Sequence, residues 1–272
     1  MKKKYTYLLL FIFIAILIYM LNKTLIVTKK DADNYFIQYE TFFSAPAKSE
    51  YNIDIAYFYN KNMKNPLNND NIQKISFKNS NLTNIKNFKI VKSDSSKKYD
   101  IGTLSLSIDF LNEGKETIEF LEVLLVNGEK LTYPIGKWSI NVSNDKIGNH
   151  LLIGNEHPVM TKYFNNKYRF SLKNNYNGCV KVTNIDVYSP NYSSSFKEFT
   201  INSHKEFKDV LYFEPIDKSD KVNFSIIRPK IEYLVNNNKY AFYPNVTYCG
   251  YLNITDETIE KEVQKSIQNN KE

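Results

Sequence analysis

No G-x-S-x-G turn, Walker-type loop or dinucleotide fingerprint occurs in this chain. Those motifs fix a nucleophile or a phosphate cradle by spacing, so their common signatures are missing here. Histidine is scarce, with His150, His157 and His204 the only three. His150 and His157, with Asp145 and Glu156 nearby, form the one group of metal-ligand residue types, and their spacing matches no zinc signature such as H-E-x-x-H. Serine and aspartate are plentiful, yet nothing in the order of residues assembles a nucleophile, base and orienter. No catalytic residue, cofactor or metal site is assigned.

Arginine is nearly absent. Arg169 and Arg228 stand against 34 lysines and 35 asparagines, a bias that points to an AT-rich coding sequence and a low-GC bacterium. The net charge of +7 is unevenly placed. Residues 1–30 hold six lysines and no acid, which leaves 30 basic and 29 acidic side chains in 31–272. The body is therefore close to neutral, its lysines are scattered, and a nucleic-acid partner is not expected. Seven N-x-S/T sequons begin at Asn22, Asn81, Asn141, Asn191, Asn223, Asn245 and Asn253, but an asparagine-rich chain makes several by chance, so they are weak evidence for glycosylation.

What the chain does have is an uncharged apolar run from Tyr5 to Leu21 behind Lys2, Lys3 and Lys4. Its length is at the short end of the roughly 17–25 residues that cross a hydrocarbon core, and Leu25, Ile26 and Val27 can extend it. A cleaved leader would need a small-residue site close behind, but the nearest A-x-A triplet is Ala45-Pro46-Ala47. No cysteine follows the run to carry a lipid. Residues 1–30 therefore read as a retained signal-anchor transmembrane helix, with 31–50 as a juxtamembrane linker and the C-terminal part outside the membrane. Lysines flank both sides of the run, so orientation follows the ordinary outcome for a short N-terminal tail.

Beyond residue 50 the dominant period is two. Leu104, Leu106, Ile108 and Phe110 alternate with Thr103, Ser105, Ser107 and Asp109, and Tyr168, Phe170 and Leu172 alternate with lysine, arginine and serine. Val180 with Val182, and Phe224 with Ile226, add shorter examples. Asn127-Gly128 between two apolar runs predicts a type I′ hairpin, and Asn112-Glu113-Gly114 and Asn177-Gly178 predict further hairpin turns. No long periodic helix appears until 256–272, where Ile259, Val263 and Ile267 recur every fourth residue behind a Thr255 or Asp256 cap. That short helix is expected to pack on the last domain.

A weak internal repeat organises the body. Ile118–Leu121 followed by Asn127–Pro134 resembles Ile231–Leu234 followed by Asn236–Pro244, each a hairpin with an asparagine turn and a Tyr-Pro. The reading is an all-β chain of two tandem immunoglobulin-like β-sandwiches, 51–146 and 157–255, then the helix at 256–272. Leu151, Leu152 and Ile153, at the boundary, are expected to be buried between the domains. Cys179 and Cys249 are the disulfide candidate, each in a strand-like segment of the second domain. The pattern generically resembles bacterial tandem immunoglobulin-like proteins over about 51–255, but no Trp lies between the cysteines and no diagnostic motif is present.

The expectation is a non-enzymatic, single-pass membrane protein of the cell surface, serving binding, adhesion or envelope assembly. Its expected partners are the membrane and a protein or cell-wall glycan. The alternatives are an envelope polysaccharide- or peptide-processing enzyme with dispersed carboxylates, and a spacer for a partner complex. The loop Tyr188–Phe196 reads as an ordinary polar loop.

Overall fold

A computed structural model describes residues 34–63, 65–162, 166–215, 224–250 and 255–269. The expected span at 1–30 lies outside them. No helix among the described residues is long and apolar enough to cross a membrane.

The described residues form nineteen strands and one helix. The first half holds β1 (Asn34–Phe36), β2 (Tyr39–Pro46), β3 (Ser49–Asn60), β4 (Ile72–Phe77), β5 (Thr83–Ser95), β6 (Tyr99–Phe110), β7 (Gly114–Leu125) and β8 (Lys130–Ser143). The second holds β9 (Leu151–Ile153), β10 (Met160–Thr161), β11 (Lys167–Asn174), β12 (Val180–Asp186), β13 (Tyr192–Ser195) and β14 (Phe199–Ile201). It continues with β15 (Glu206–Pro215), β16 (Ser225–Arg228), β17 (Lys230–Val235), β18 (Asn238–Phe242) and β19 (Thr247–Cys249), before helix α1 (Asp256–Asn269). The described residues are thus all-β with one short helix.

Four sheets result. Three have four strands each, in the orders β1-β3-β6-β5, β13-β15-β11-β9 and β14-β12-β17-β18. The fourth has seven, β10-β19-β16-β2-β8-β7-β4, and it draws strands from both halves. Its seam is the parallel pairing of β16 with β2, in which Ser225 to Arg228 run beside Glu40 to Phe43. Residues 34–272 accordingly form one compact unit. The two stretches expected as separate sandwiches are fused through this sheet.

The residues 31–50 expected as a linker contain β1 and β2. β2 is central and covered on both faces, so its side chains from Phe42 to Ala45 are all buried. Burial on both faces erases the alternation that reveals a half-buried strand.

Two cores lie on opposite sides of β2. Phe36, Ile53, Tyr57, Leu104, Leu106, Phe110, Tyr133 and Trp138 are buried in the first half. Phe42, Tyr168, Phe170, Leu172, Val180, Val182, Phe213, Ile231, Tyr233 and Cys249 belong to the second core. At about 25 cal/mol per Å² of buried apolar area, these two clusters are the main stabilising term. The expected alternation of 104–110 holds, every second side chain lying inside. At 168–172 Tyr168, Phe170 and Leu172 lie inside and Arg169 outside, but Ser171, expected on the outer face, is buried as well, its hydroxyl donating to Glu206.

The turns differ from expectation in instructive ways. At Val126–Glu129 only Gly128 has positive φ (84°), and its N–H donates to the Leu125 carbonyl at 2.9 Å. This is a type I turn closed by a left-handed glycine, and not a type I′ turn. The type I′ signature sits instead between β17 and β18, where Asn236 and Asn237 have φ of 50° and 63°. The segments at 112–114 and 177–178 are not hairpins, because each carries the chain from one sheet to another. Leu151 is buried in the second core, whereas Leu152 is exposed on the edge strand β9.

Helix α1 begins with a reciprocal cap. Thr255 Oγ1 accepts the Thr258 N–H at 3.3 Å, and Thr258 Oγ1 accepts the Thr255 N–H at 3.2 Å. Its buried residues are Ile259, Glu262, Val263 and Ser266. It packs on the first half of the chain, against the expectation, touching β1. Lys98, in the β5–β6 turn, pairs with Glu260 at 2.6 Å and donates its N–H to Asp256.

Candidate functional site

The chemically versatile side chains are mostly engaged in architecture. Glu116 accepts Ser80 Oγ at 2.7 Å and Thr83 Oγ1 at 3.3 Å, and its other oxygen takes the backbone N–H groups of Asn81 and Leu82. It pins the β4–β5 connection. Asp145 and Glu232 both grip Lys230, at 2.9 and 3.0 Å, and Glu232 also reaches Lys239 at 3.2 Å. Burial raises both carboxyls, but the bonds to Lys230 outweigh it and leave them below the usual carboxylate range.

Arg228 is the most buried cation of the seam. Its Nε donates to the Pro244 carbonyl at 2.9 Å and its Nη1 to the Ser44 carbonyl at 3.1 Å. Its guanidinium lies 4.2 Å from the Tyr51 ring, 5.2 Å from Phe43 and 5.6 Å from Tyr243. Burial lowers its pKa to about 10, against the pull of nearby tyrosines, so it stays charged at neutral pH. Ser44, Phe43 and Tyr51 come from the first half and Pro244 and Tyr243 from the second. Rings and carbonyls take the place of a carboxylate here.

The sequence-derived candidates are not brought together. Cys179 and Cys249 are free thiols. Cys179 is exposed just before β12, with Sγ 3.6 Å from Asn202 Oδ1. Cys249 is buried on β19, where burial raises its thiol pKa and the hydroxyls of Thr161 and Ser225 partly offset it. Cys179 precedes β12, whereas Cys249 ends β19 of a different sheet. The group of metal-ligand residue types also scatters: Asp145 goes to Lys230, Glu156 to Lys208, and His157 to the Tyr168 ring 6.1 Å away. Burial lowers the His157 pKa. Among the described residues no three His, Cys, Asp or Glu side chains gather as metal ligands. The stretch 188–196, expected as an ordinary polar loop, contains the edge strand β13, paired with β15, and it touches the first half: Asn191 accepts from Lys137 at 3.0 Å, Lys115 lies over Tyr188, and Tyr192 meets Phe42 edge-on at 5.5 Å.

One ring cluster lies near the surface of the second half. At one end of the second half, the 146–150 segment, the β11–β12 connection and the β17–β18 turn converge. The His150 ring lies 5.3 Å from Tyr176, 4.7 Å from Tyr240 and 5.8 Å from Tyr233, all edge-on. His150 Nδ1 is 3.1 Å from the Tyr233 hydroxyl, and burial pushes that phenol up to about 12. Tyr176 is fixed three ways: its N–H donates to Asn174 Oδ1 at 2.7 Å, its carbonyl accepts Ser203 Oγ at 3.0 Å, and its hydroxyl accepts Asn236 Nδ2 at 3.0 Å. Lys146 lies 4.7 Å above the Tyr240 ring. Gly148 must be glycine, since a Cβ there would stand 2.1 Å from the Tyr233 hydroxyl. The sequence signal for this cluster was the shared asparagine-tyrosine composition of two turns, Asn174–Asn177 and Asn236–Tyr240, which only the fold brings side by side.

No protein-family model matches the chain, and no curated protein matches it. Among solved structures, a protein of unknown function from Porphyromonas gingivalis W83 aligns at 10% identity over 79% of this chain and 99% of its own, with a TM-score of 0.24. The D00-D0 domain of Intimin aligns at 10% identity over 80% and 100%, with a TM-score of 0.22. Domains 5-6 of the S-layer protein SbsC align at 10% identity over 75% and 93%, with a TM-score of 0.20. At these TM-scores the alignments carry no argument. The all-β class rests on the strands themselves.

Proposed function

We propose that this chain is a non-enzymatic, membrane-tethered binding module of the cell surface, built of two immunoglobulin-like sandwiches fused through one sheet. The carrying observation is the division of labour among side chains. Carboxylates, the buried arginine and the buried thiol secure strands and loops, while the turns of the second half carry a ring-and-amide surface. A rigid scaffold that presents contact residues from its turns is the usual arrangement of binding modules. The apolar run at Tyr5–Leu21 supports the tether.

Protease shaving of intact cells tests the placement. Residues 34–272 should be released or degraded together with a known surface protein. Full protection of this part, while the surface protein is cleaved, would overturn the proposal. An adhesion assay of a deletion strain tests the role, with loss of attachment expected and unchanged attachment counting against it.

A further inference from the structure

We propose that Asn177 is a self-modifying site, where the backbone nitrogen of Gly178 closes on the Asn177 side chain and turns its amide into a carboxylate.

The chain holds two Asn-Gly pairs, Asn127-Gly128 and Asn177-Gly178. Glycine carries no side chain to shield its own nitrogen, so in either pair that nitrogen can attack the asparagine Cγ. A C–N bond forms and closes a five-membered succinimide. The Cγ–Nδ2 bond breaks, and the proton given up by the glycine nitrogen is balanced by the one that Nδ2 takes up as it leaves as ammonia. Water, the only co-reactant, then opens the ring at one or the other carbonyl. The product is an aspartyl or an isoaspartyl residue.

The fold treats the two pairs differently. Both asparagines are exposed. In the β7–β8 turn the Gly128 N–H is committed to the Leu125 carbonyl at 2.9 Å, and Asn127 Oδ1 accepts the Glu129 N–H at 3.0 Å. That nucleophile is tied down. In the β11–β12 connection the Gly178 N–H has no hydrogen-bond partner among the described residues. His204 Nε2 lies 2.9 Å from Asn177 Oδ1, and because an amide oxygen only accepts, the ring is the donor. A donor on that oxygen stabilises the negative charge that gathers there as the nitrogen attacks. Asn174 brackets the pair. Its Oδ1 accepts the Tyr176 N–H at 2.7 Å and its Nδ2 donates to the Gly178 carbonyl at 2.7 Å. The bracket holds the chain on both sides and leaves the two reacting groups outside it.

The reaction changes this end of the second half. A carboxylate replaces the amide that His204 meets, and the isoaspartyl form lengthens the backbone by one methylene just ahead of β12. The site thereby records the age of the folded chain.

The test keeps the full chain in detergent micelles at neutral pH and physiological temperature for several weeks. Peptide mapping by mass spectrometry follows each site through its gain of about 1 Da. In the folded chain Asn177 is expected to convert at least tenfold faster than Asn127. In urea, where neither glycine nitrogen is held, the two rates should converge. His204→Gly removes the donor and suits the left-handed φ of 57° at that position. It should slow Asn177 about threefold and leave Asn127 unchanged. Conversion of Asn127 as fast as Asn177 in the folded chain overturns the proposal, and so does a gap that persists unchanged in urea. An Asn177 rate unmoved or raised in His204→Gly overturns the part given to His204. Should that variant fail to fold, the comparison of the folded and unfolded parent decides alone.

Discussion

Phe42 and Phe43 are neighbours in sequence and belong to different cores. Phe42 stacks on Phe213 at 5.4 Å in the second half, and Phe43 stacks on Phe110 at 5.2 Å in the first. Successive strand side chains point to opposite faces, so β2 contributes to both cores. Truncating a buried phenylalanine costs about 3–5 kcal/mol. Phe42→Ala should therefore destabilise the whole unit, including the first core that it does not touch. Trp138, buried in the first core against Phe77 at 5.5 Å, is a local reporter. In urea, its fluorescence midpoint and the far-UV circular dichroism midpoint should fall together in Phe42→Ala. An unmoved Trp138 transition would show that the halves unfold independently.

Arg228 is expected to be irreplaceable by lysine. It donates to two carbonyls from a planar fork while lying among three rings, and an ammonium matches neither geometry. Arg228→Lys and Arg228→Ala should each lose about 2–4 kcal/mol, because both strand the carbonyls of Ser44 and Pro244. Chemical denaturation of the two variants checks this. A Lys variant as stable as the parent would show that charge alone holds the seam.

The half-buried strands were legible because one face met water: Leu104 to Phe110 and Tyr168 to Leu172 read directly from their alternation. β2 was not, since Phe42 and Phe43 both lie inside and no period survives. The join of β16 to β2 pairs residues some 185 positions apart, as in Ser225 with Glu40, and no local pattern records such a pairing. The ring-and-amide end was half legible. Its two turns were visible as asparagine-rich, but their meeting at Tyr176 and Asn236 is tertiary. The helix position was misjudged because the stripe of Ile259 and Val263 states that the helix packs, without stating on what.

Acid should loosen the ion network around Lys230. Asp145 and Glu232 have folded pKa values below their unfolded ones, despite burial, through their bonds to Lys230. Their stabilisation is therefore complete above the unfolded carboxyl pKa of about 4 and is lost as pH falls below it. Both pairs are largely screened from water on the lysine side, so removing one partner should cost about 1–3 kcal/mol at neutral pH. Asp145→Asn should show this loss at pH 7 and a smaller further loss between about pH 5 and 3 than the parent. Equal acid sensitivity of the two proteins in thermal melts would remove this network from the account.

The two cysteines should titrate as one reactive and one silent thiol. The thiolate is the nucleophile, and Cys249 is held as a thiol by burial on β19, while Cys179 is exposed. With a chromogenic disulfide reagent at about pH 8, near the ordinary thiol pKa, the folded chain should release one equivalent promptly. The second should follow only on unfolding, at a rate set by the opening of the second core. Cys179→Ser should abolish the prompt phase and leave the slow one, and Cys249→Ser should do the reverse. Failure of either thiol to react in the unfolded, unreduced chain would reveal a Cys179–Cys249 bridge, and two prompt equivalents would show that β19 is not packed as described.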